Sequence, residues 1–386
     1  MGFPKSFFLA LVIALLMFGC ASSLKSSQKG NQALAKKNYN LDEKLVGMSD
    51  RSVTLETIAL FNNLKEIAKK GFIFGQHSPT YDHQTGIFPV TTNLKSDCFT
   101  SVKSHPGIFN FDFDRDRVDF FKVQVEEIFR RGGIVSYSWH ANNPVTGGHC
   151  KDTTQNPVQS ILSEGIGWTN WKAELDKIAD YFNNLEVEGV KVPIIFRPFH
   201  EHTGNWFWWG AKHCSSEEFV ALWKKTVDYL RQAGVNNILL AYSPSRPSST
   251  LEKTLETYPG DHYADIIGLD VYEPDSATLK KLLNESVDFA VKLAQEKHKV
   301  AAITEVGVTK GLQNSDTDNW FMDTLLNPLK ANSSMDSIAF ICTWFNARHQ
   351  YWVPLPNQPN YKSFLNFYND PSSFFLNDLP NMYRLD

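Results

Sequence analysis

Short apolar runs alternate with amphipathic stretches along most of this 386-residue chain, and no other feature narrows its fold as much. The runs cover 72–77, 108–113, 133–140, 192–201, 237–245, 265–272, 300–308 and 338–346. Helix-like stretches lie between them at 116–131, 171–185, 216–233, 276–296 and 318–329, and another at 55–70 precedes the first run. Ser215-Ser216-Glu217-Glu218 and Asp318 are helix-start signals. Strands alternating with helices imply parallel β-α-β units. Eight of them predict an α/β chain closed into a (β/α)8 TIM barrel, a single catalytic domain over residues 45–386. A doubly wound open sheet is the rival, but its first strand normally leads into a glycine-rich phosphate loop. Here 72–77 runs into SPTYDHQ, and neither GxGxxG nor GxxxxGK occurs.

Each run finishes in polar or aromatic residues: Gln76-His77, Asp112, Trp139-His140, His200-Glu201, Tyr242-Ser243, Asp270 with Tyr272, Glu305, and Trp344 with Asn346. In a barrel these ends converge on one face, where active sites sit. The stretch 193–210, PIIFRPFHEHTGNWFWWG, is the densest of them. Alternation along a strand would put Ile195, Arg197, Phe199 and Glu201 on one face. A guanidinium and a carboxylate there need partners or a task. Trp206, Phe207, Trp208 and Trp209 follow in a loop containing Gly and Asn, where partial exposure is expected. Exposed indole faces suit the apolar faces of sugar rings, and 10 Trp in a chain that is 13% aromatic fits that use. A net charge of −4 offers no basic surface, so nucleic acid is not an expected partner.

Two carboxylates stand out, Glu201 after the fourth run and Glu305 in the seventh. Alternation sets Ile303 and Gly307 on the face of Glu305, with Thr304 and Val306 opposite. Two carboxyl groups facing each other across a cleft are what glycoside hydrolysis requires. One must hold a proton for the leaving oxygen, and the other must stay ionised to attack the anomeric carbon. Arg197 is placed to keep the attacking group anionic, while burial against aromatics raises the other.

The segments RPFHEHTGNWFWWG, GLDVY and ITEVGV together resemble glycoside hydrolase family 26, most of whose members are β-1,4-mannanases. The resemblance runs over the whole of 45–386. It implies Glu201 as acid/base and Glu305 as nucleophile. His200, just before the acid/base, is a mark of that family where the wider clan has Asn. The resemblance also implies sugar-binding roles for His140, Trp206, Asp270, Tyr272 and Trp344, and Arg197 and His200 are further substrate-binding candidates. Tyr272 would hydrogen-bond the nucleophile, and Trp344 would form the floor beneath the glycone sugar. Asp112, His77 and His83 are expected as structural or distal-subsite residues, and Tyr351 or Trp352 as a further subsite or a cap on the barrel.

The expected chemistry is a retaining double displacement on β-mannan or manno-oligosaccharides, with carboxyl groups about 5–5.5 Å apart and no metal or organic cofactor. A β-1,3-xylanase, a mixed-linkage β-glucanase and a catalytically inactive glycan-binding lipoprotein are the alternatives. The long loop 142–169 bears on whether attack is internal or from chain ends.

The N-terminus reads as targeting. Lys5, the apolar run 7–18 and Gly19-Cys20 resemble a bacterial lipoprotein signal over residues 1–20, with Cys20 as the lipidated residue and a plain secretory signal cut nearby as the alternative. Residues 21–44 read as a flexible tether, mostly Ser, Lys, Gln and Asn. A monomer is expected, exported and anchored by lipid alone, facing the periplasm or the cell surface. The remaining cysteines, Cys98, Cys150, Cys214 and Cys342, show no zinc spacing. Export permits disulfides, and Cys150–Cys214 is the favoured pair because both lie in loops beyond strand ends.

Overall fold

Eight parallel strands close on themselves in the computed structural model, which describes residues 40–113, 118–246 and 251–385. They are β1 (Phe72–His77), β2 (Ile108–Asp112), β3 (Ile134–Ser138), β4 (Ile194–Arg197), β5 (Ile238–Tyr242), β6 (Ile266–Ile267), β7 (Val300–Ile303) and β8 (Ile338–Thr343). Each pairs with the next, and β8 pairs back onto β1 with Ile73 beside Phe340 and Gln76 beside Thr343. The chain divides into two units, one up to Val46 and one from Gly47 onward. In the first, the described residues form a single helical turn, Leu41–Lys44. The second is the barrel. Cys20 and the signal-like segment lie outside the described residues.

The apolar runs became strands because both their faces are covered, one by the barrel interior and one by helices. Helices Lys122–Arg130, Ile166–Asn183, Ser216–Gln232, Ser276–Lys297 and Tyr361–Tyr368 form much of that outer layer. The start signal at Ser215 is a capping box. The Ser215 hydroxyl accepts from the Glu218 N–H, and the Glu218 carboxylate accepts from the Ser215 N–H. At the bottom of the barrel, buried Asp265 accepts from the Leu240 and Ser49 N–H groups and the Ser49 hydroxyl. That end holds the fold together, and the other carries the chemistry.

Strand registry sets the height of the polar ends. Asp112, Ser138 and Arg197 lie level on β2, β3 and β4. Beyond Ile267 and Ile303 the lines of β6 and β7 resume as Asp270–Glu273 and Glu305–Val308, which pair with Asp270 beside Glu305.

Three expectations fail here, two about strand faces and one about a disulfide. First, β4 ends at Arg197, because Pro198 has no N–H to continue the ladder. Residues 198–201 form a turn, so Phe199 and Glu201 do not share a face with Arg197. Phe199 packs outward among Trp171, Trp223 and Trp209. Second, the register shift in β7 defeats alternation, so consecutive Thr304 and Glu305 reach the same cluster. Third, Cys98, Cys150, Cys214 and Cys342 are all unbridged thiols, and the Cys150–Cys214 disulfide is absent. Cys150 Sγ lies 3.3 Å from His149 Nδ1, whereas Cys214 turns toward the Trp209 carbonyl.

Candidate active site

Glu201 owes its position to a backbone feature that no strand pattern contains. Its φ is +53°, the left-handed region that a residue with a side chain enters only at a cost. Its N–H donates to the Ser243 carbonyl at 2.8 Å, which pins the turn to the top of β5. Oε2 of Glu201 accepts the indole N–H of Trp206 at 2.8 Å. Gly204 permits this, since a Cβ at that position would stand 2.3 Å from the Trp206 ring. Trp206 is 40% exposed, as expected of a sugar platform. Phe207, Trp208 and Trp209 are buried instead. The indoles of Trp208 and Trp209 donate to the carbonyls of Ala141 and His200, so these rings brace the tops of β3 and β4 from beneath.

Glu305 sits among donors. Arg197 Nη2 reaches its Oε1 at 2.7 Å and the Tyr272 hydroxyl reaches its Oε2 at 2.9 Å. Arg197 also donates to Asp270 Oδ2 at 3.2 Å and, through Nη1, to the Thr304 carbonyl. Asp270 accepts further from Thr304 Oγ1 and Ser243 Oγ. His77 Nδ1 accepts from the Asn110 amide at 2.7 Å, which leaves the proton on Nε2, 3.5 Å from Glu305 Oε1. The His77 ring lies 4.4 Å from that of Trp344, and both line a cavity of about 90 Å³ with His140.

A second chain approaches from β2 and β3. Asp112 accepts from His140 Nδ1 at 2.6 Å and from the His140 N–H, and His140 Nε2 lies 3.3 Å from His200 Nε2. The buried His200 ring packs on Phe207. Asp112 therefore orients His140.

Electrostatics separates the two candidate carboxyls. Burial, then the Asp270 charge, pushes Glu201 up to about 7, against the Trp206 N–H and the Arg197 and His140 charges. Burial and Asp270 also push Glu305 up, while Arg197 pulls it back. The hydrogen bonds decide where the proton rests. Both Glu305 oxygens face donors that favour the anion, one of them a permanent cation, whereas Glu201 has a single neutral N–H. Burial likewise raises Tyr272, which stays a donor, and holds His77 and His200 well below the usual imidazole range, so both are neutral at pH 7. Burial alone would raise Asp112, but the His140 charge and hydrogen bonds from His140 and Ser138 hold it well below the carboxylate range.

Glu201, Glu305, His140, Arg197, His200, Trp206, Asp270, Tyr272 and Trp344 gather at this end of the barrel, whereas Cys20 lies outside the described residues. The sequence assigns Asn110 no role, sets Thr304 on the wrong face and marks Ser243 only as a polar strand end, because small polar side chains carry no signal until the strands are in register. His83 is buried with Asp97 and serves the hairpin Asp82–Ile87 and its surroundings. Tyr351 and Trp352 are buried, and Trp352 donates to the Val308 carbonyl, so they cap the barrel.

A parallel barrel with an acid-poised carboxyl after β4 and a donor-held carboxylate on β7 has the equipment of a glycoside hydrolase. The chain belongs to glycosyl hydrolase family 26, whose model matches residues 50–323. It is 32% identical over 330 residues to a mannan endo-1,4-beta-mannosidase of Bifidobacterium adolescentis, an alignment covering 78% of this chain and 32% of that one. The chain thus spans about a third of that relative's length. Among solved structures, a GH26 beta-mannanase from Bacteroides ovatus is 35% identical with a TM-score of 0.80, covering 86% of this chain and 98% of the other. A modular endo-beta-1,4-mannanase from Cellulomonas fimi is 30% identical with a TM-score of 0.82, covering 87% and 79%.

Proposed function

We propose that this chain is a retaining endo-β-1,4-mannanase acting on mannan, galactomannan or glucomannan. The observation that carries the reading is the division of labour between Glu305, held anionic by Arg197 and Tyr272, and Glu201, poised near pH 7. The mannan-cleaving relatives supply the substrate class.

The sugar to be transferred lies over Trp344, with His77 and His140 at its edge. Glu305 attacks the anomeric carbon and forms a glycosyl ester. Glu201 gives its proton to the departing oxygen, and the released sugar leaves over Trp206. Glu201, now ionised, takes a proton from water, which attacks the same carbon and breaks the ester. Two inversions give net retention. Tyr272 lets go of Glu305 as its charge is consumed and regains it when the ester breaks. Asp270 keeps Arg197 oriented throughout, and neutral His200 holds the turn that carries Glu201.

Product analysis on linear β-1,4-mannan tests the reading, with Glu305→Ala as control. A ladder of manno-oligosaccharides lost in the variant is the expected result. Cleavage of xylan or mixed-linkage glucan instead would overturn the substrate class. Mannobiose as the sole early product would overturn internal attack.

The N-terminal signal supports an exported lipoprotein anchored through Cys20 and facing the periplasm. Cys20→Ser is expected to release the protein into the soluble fraction, and an unchanged membrane fraction would refute the anchor.

A further inference from the structure

The cavity of about 90 Å³ that holds His77, His140 and Trp344 has two further walls, Asp82 and Phe345. Asp82 opens the hairpin Asp82–Ile87, which leaves the barrel after β1. Phe345 follows Trp344 on the segment that leaves β8 at Thr343. Neither wall belongs to a barrel strand. A hairpin of two short strands is marginal by itself, so its place depends on what holds it.

A single carboxylate holds both walls. Asp97 opens the helix Asp97–Val102 and is only 4% exposed. Its Oδ1 accepts from His83 Nδ1 at 3.3 Å, and its Oδ2 accepts from the Gln84 N–H at 3.0 Å. Both donors belong to the hairpin and directly follow Asp82. The same Oδ2 accepts from Asn346 Nδ2 at 2.8 Å, one residue beyond Phe345. Asp97 therefore bonds to the neighbour of each wall without lining the cavity itself.

The far side is equally fixed. Buried Asn346 accepts from the Trp352 and Val353 N–H groups and donates to the Val353 carbonyl. Gln84 Nε2 donates to that same carbonyl at 3.0 Å. Hairpin and β8 exit thus meet at two points, the Asp97 carboxylate and the Val353 carbonyl. A site ordered before binding loses less entropy when occupied. We propose that Asp97 is a positioning residue for the glycone sugar, setting the gap between Asp82 and Phe345 and so the fit over Trp344. The inference rests on the mannanase reading, in which the sugar to be transferred occupies this cavity.

An aryl β-mannobioside tests it, since both its sugars lie on the glycone side of the bond that breaks. In Asp97→Ala the two walls part. KM should rise about tenfold, the scale of a lost buried hydrogen bond, with kcat within about twofold of native. Asn346→Asp sets a second carboxylate against Asp97 but still accepts from Trp352 and Val353. It should give the same split, and it decides the matter if the alanine variant does not fold. Asp97→Asn is isosteric and keeps all three contacts once His83 moves its proton to Nε2. Its KM should stay within about threefold of native. A carboxylate needed only for folding would lower the amount of active enzyme, and so kcat, at native KM. That result in Asp97→Ala or Asn346→Asp would overturn the proposal, as would an Asp97→Asn enzyme as impaired as the alanine variant. A native enzyme that cleaves no mannoside would defeat the mannanase reading and the proposal with it. An active native enzyme whose KM is the same in every variant would defeat the proposal alone.

Discussion

Arg197 Nη2 stands 2.7 Å from Glu305 Oε1, with both side chains almost fully buried. The same nitrogen serves Asp270 at 3.2 Å, so one guanidinium holds two carboxylates under the barrel mouth. Removing it leaves uncompensated charge in a dry site, which costs about 3–5 kcal/mol. Arg197→Met is expected to melt far below the native protein. Arg197→Lys keeps the charge but loses the fork, and should fold while losing about 10²–10³-fold in kcat. Thermal unfolding and steady-state rates on mannohexaose check the pair. A lysine variant with native kcat would show that the fork does not hold the nucleophile.

The roles of the two glutamates separate with azide. Glu305→Ala should lose about 10⁴-fold or more in turnover. Glu201→Ala should keep activity on an aryl mannobioside, whose phenolate leaves without a proton. Azide should speed that variant and be trapped as a β-glycosyl azide, the C–N bond forming as the ester to Glu305 breaks. In Glu305→Ala any azide product should be α. The reverse pattern by proton NMR would exchange the assignments.

Activity should fall as pH rises through about 7, since in the proposed mechanism Glu201 must be protonated to donate and its carboxyl is poised there. The Trp206 N–H favours the ionised form. Trp206→Phe should therefore move the alkaline limb of kcat/KM upward by about one pH unit, besides raising KM. A limb that stays or moves down would dissociate the indole from the acid. Gly204→Val should shift the limb the same way by pushing the ring aside, at some cost in melting temperature because the position is buried.

The same group makes stability pH-dependent. Glu201 is raised from an ordinary 4.5 to about 7 on folding, so the folded state binds more protons between those values. Stability from this group is present below pH 4.5 and is lost as pH rises toward 7. Glu201→Gln removes the buried charge. It should raise the melting temperature at pH 8 by a few degrees and leave it unchanged at pH 4. Equal shifts at both values would refute the linkage.

Unbridged Cys150 and Cys214 carry a simple expectation. Melting should be indifferent to reductant, and the unfolded chain should titrate as thiols at Cys98, Cys150, Cys214 and Cys342. A mass lower by two hydrogens, restored by reductant, would revive the disulfide.

The periodicity of the chain determined the barrel. Eight apolar runs of strand length, separated by amphipathic stretches, leave few ways to cover both faces of a parallel sheet. The polar strand ends, Glu201 and Glu305 among them, were legible for the same reason, since a carboxyl at the end of a buried run needs a task. The tertiary structure decided which groups meet. Alternation assigned Arg197 to the face of Glu201, but Pro198 ends the strand and a left-handed turn swings Glu201 away, leaving Arg197 to Glu305 and Asp270. It also decided that Trp206 alone of the four loop aromatics stays exposed, while Phe207, Trp208 and Trp209 go under the floor. Local spacing encodes what each strand is. The contacts at its end depend on registry with strands far along the chain and on backbone turns that follow no period.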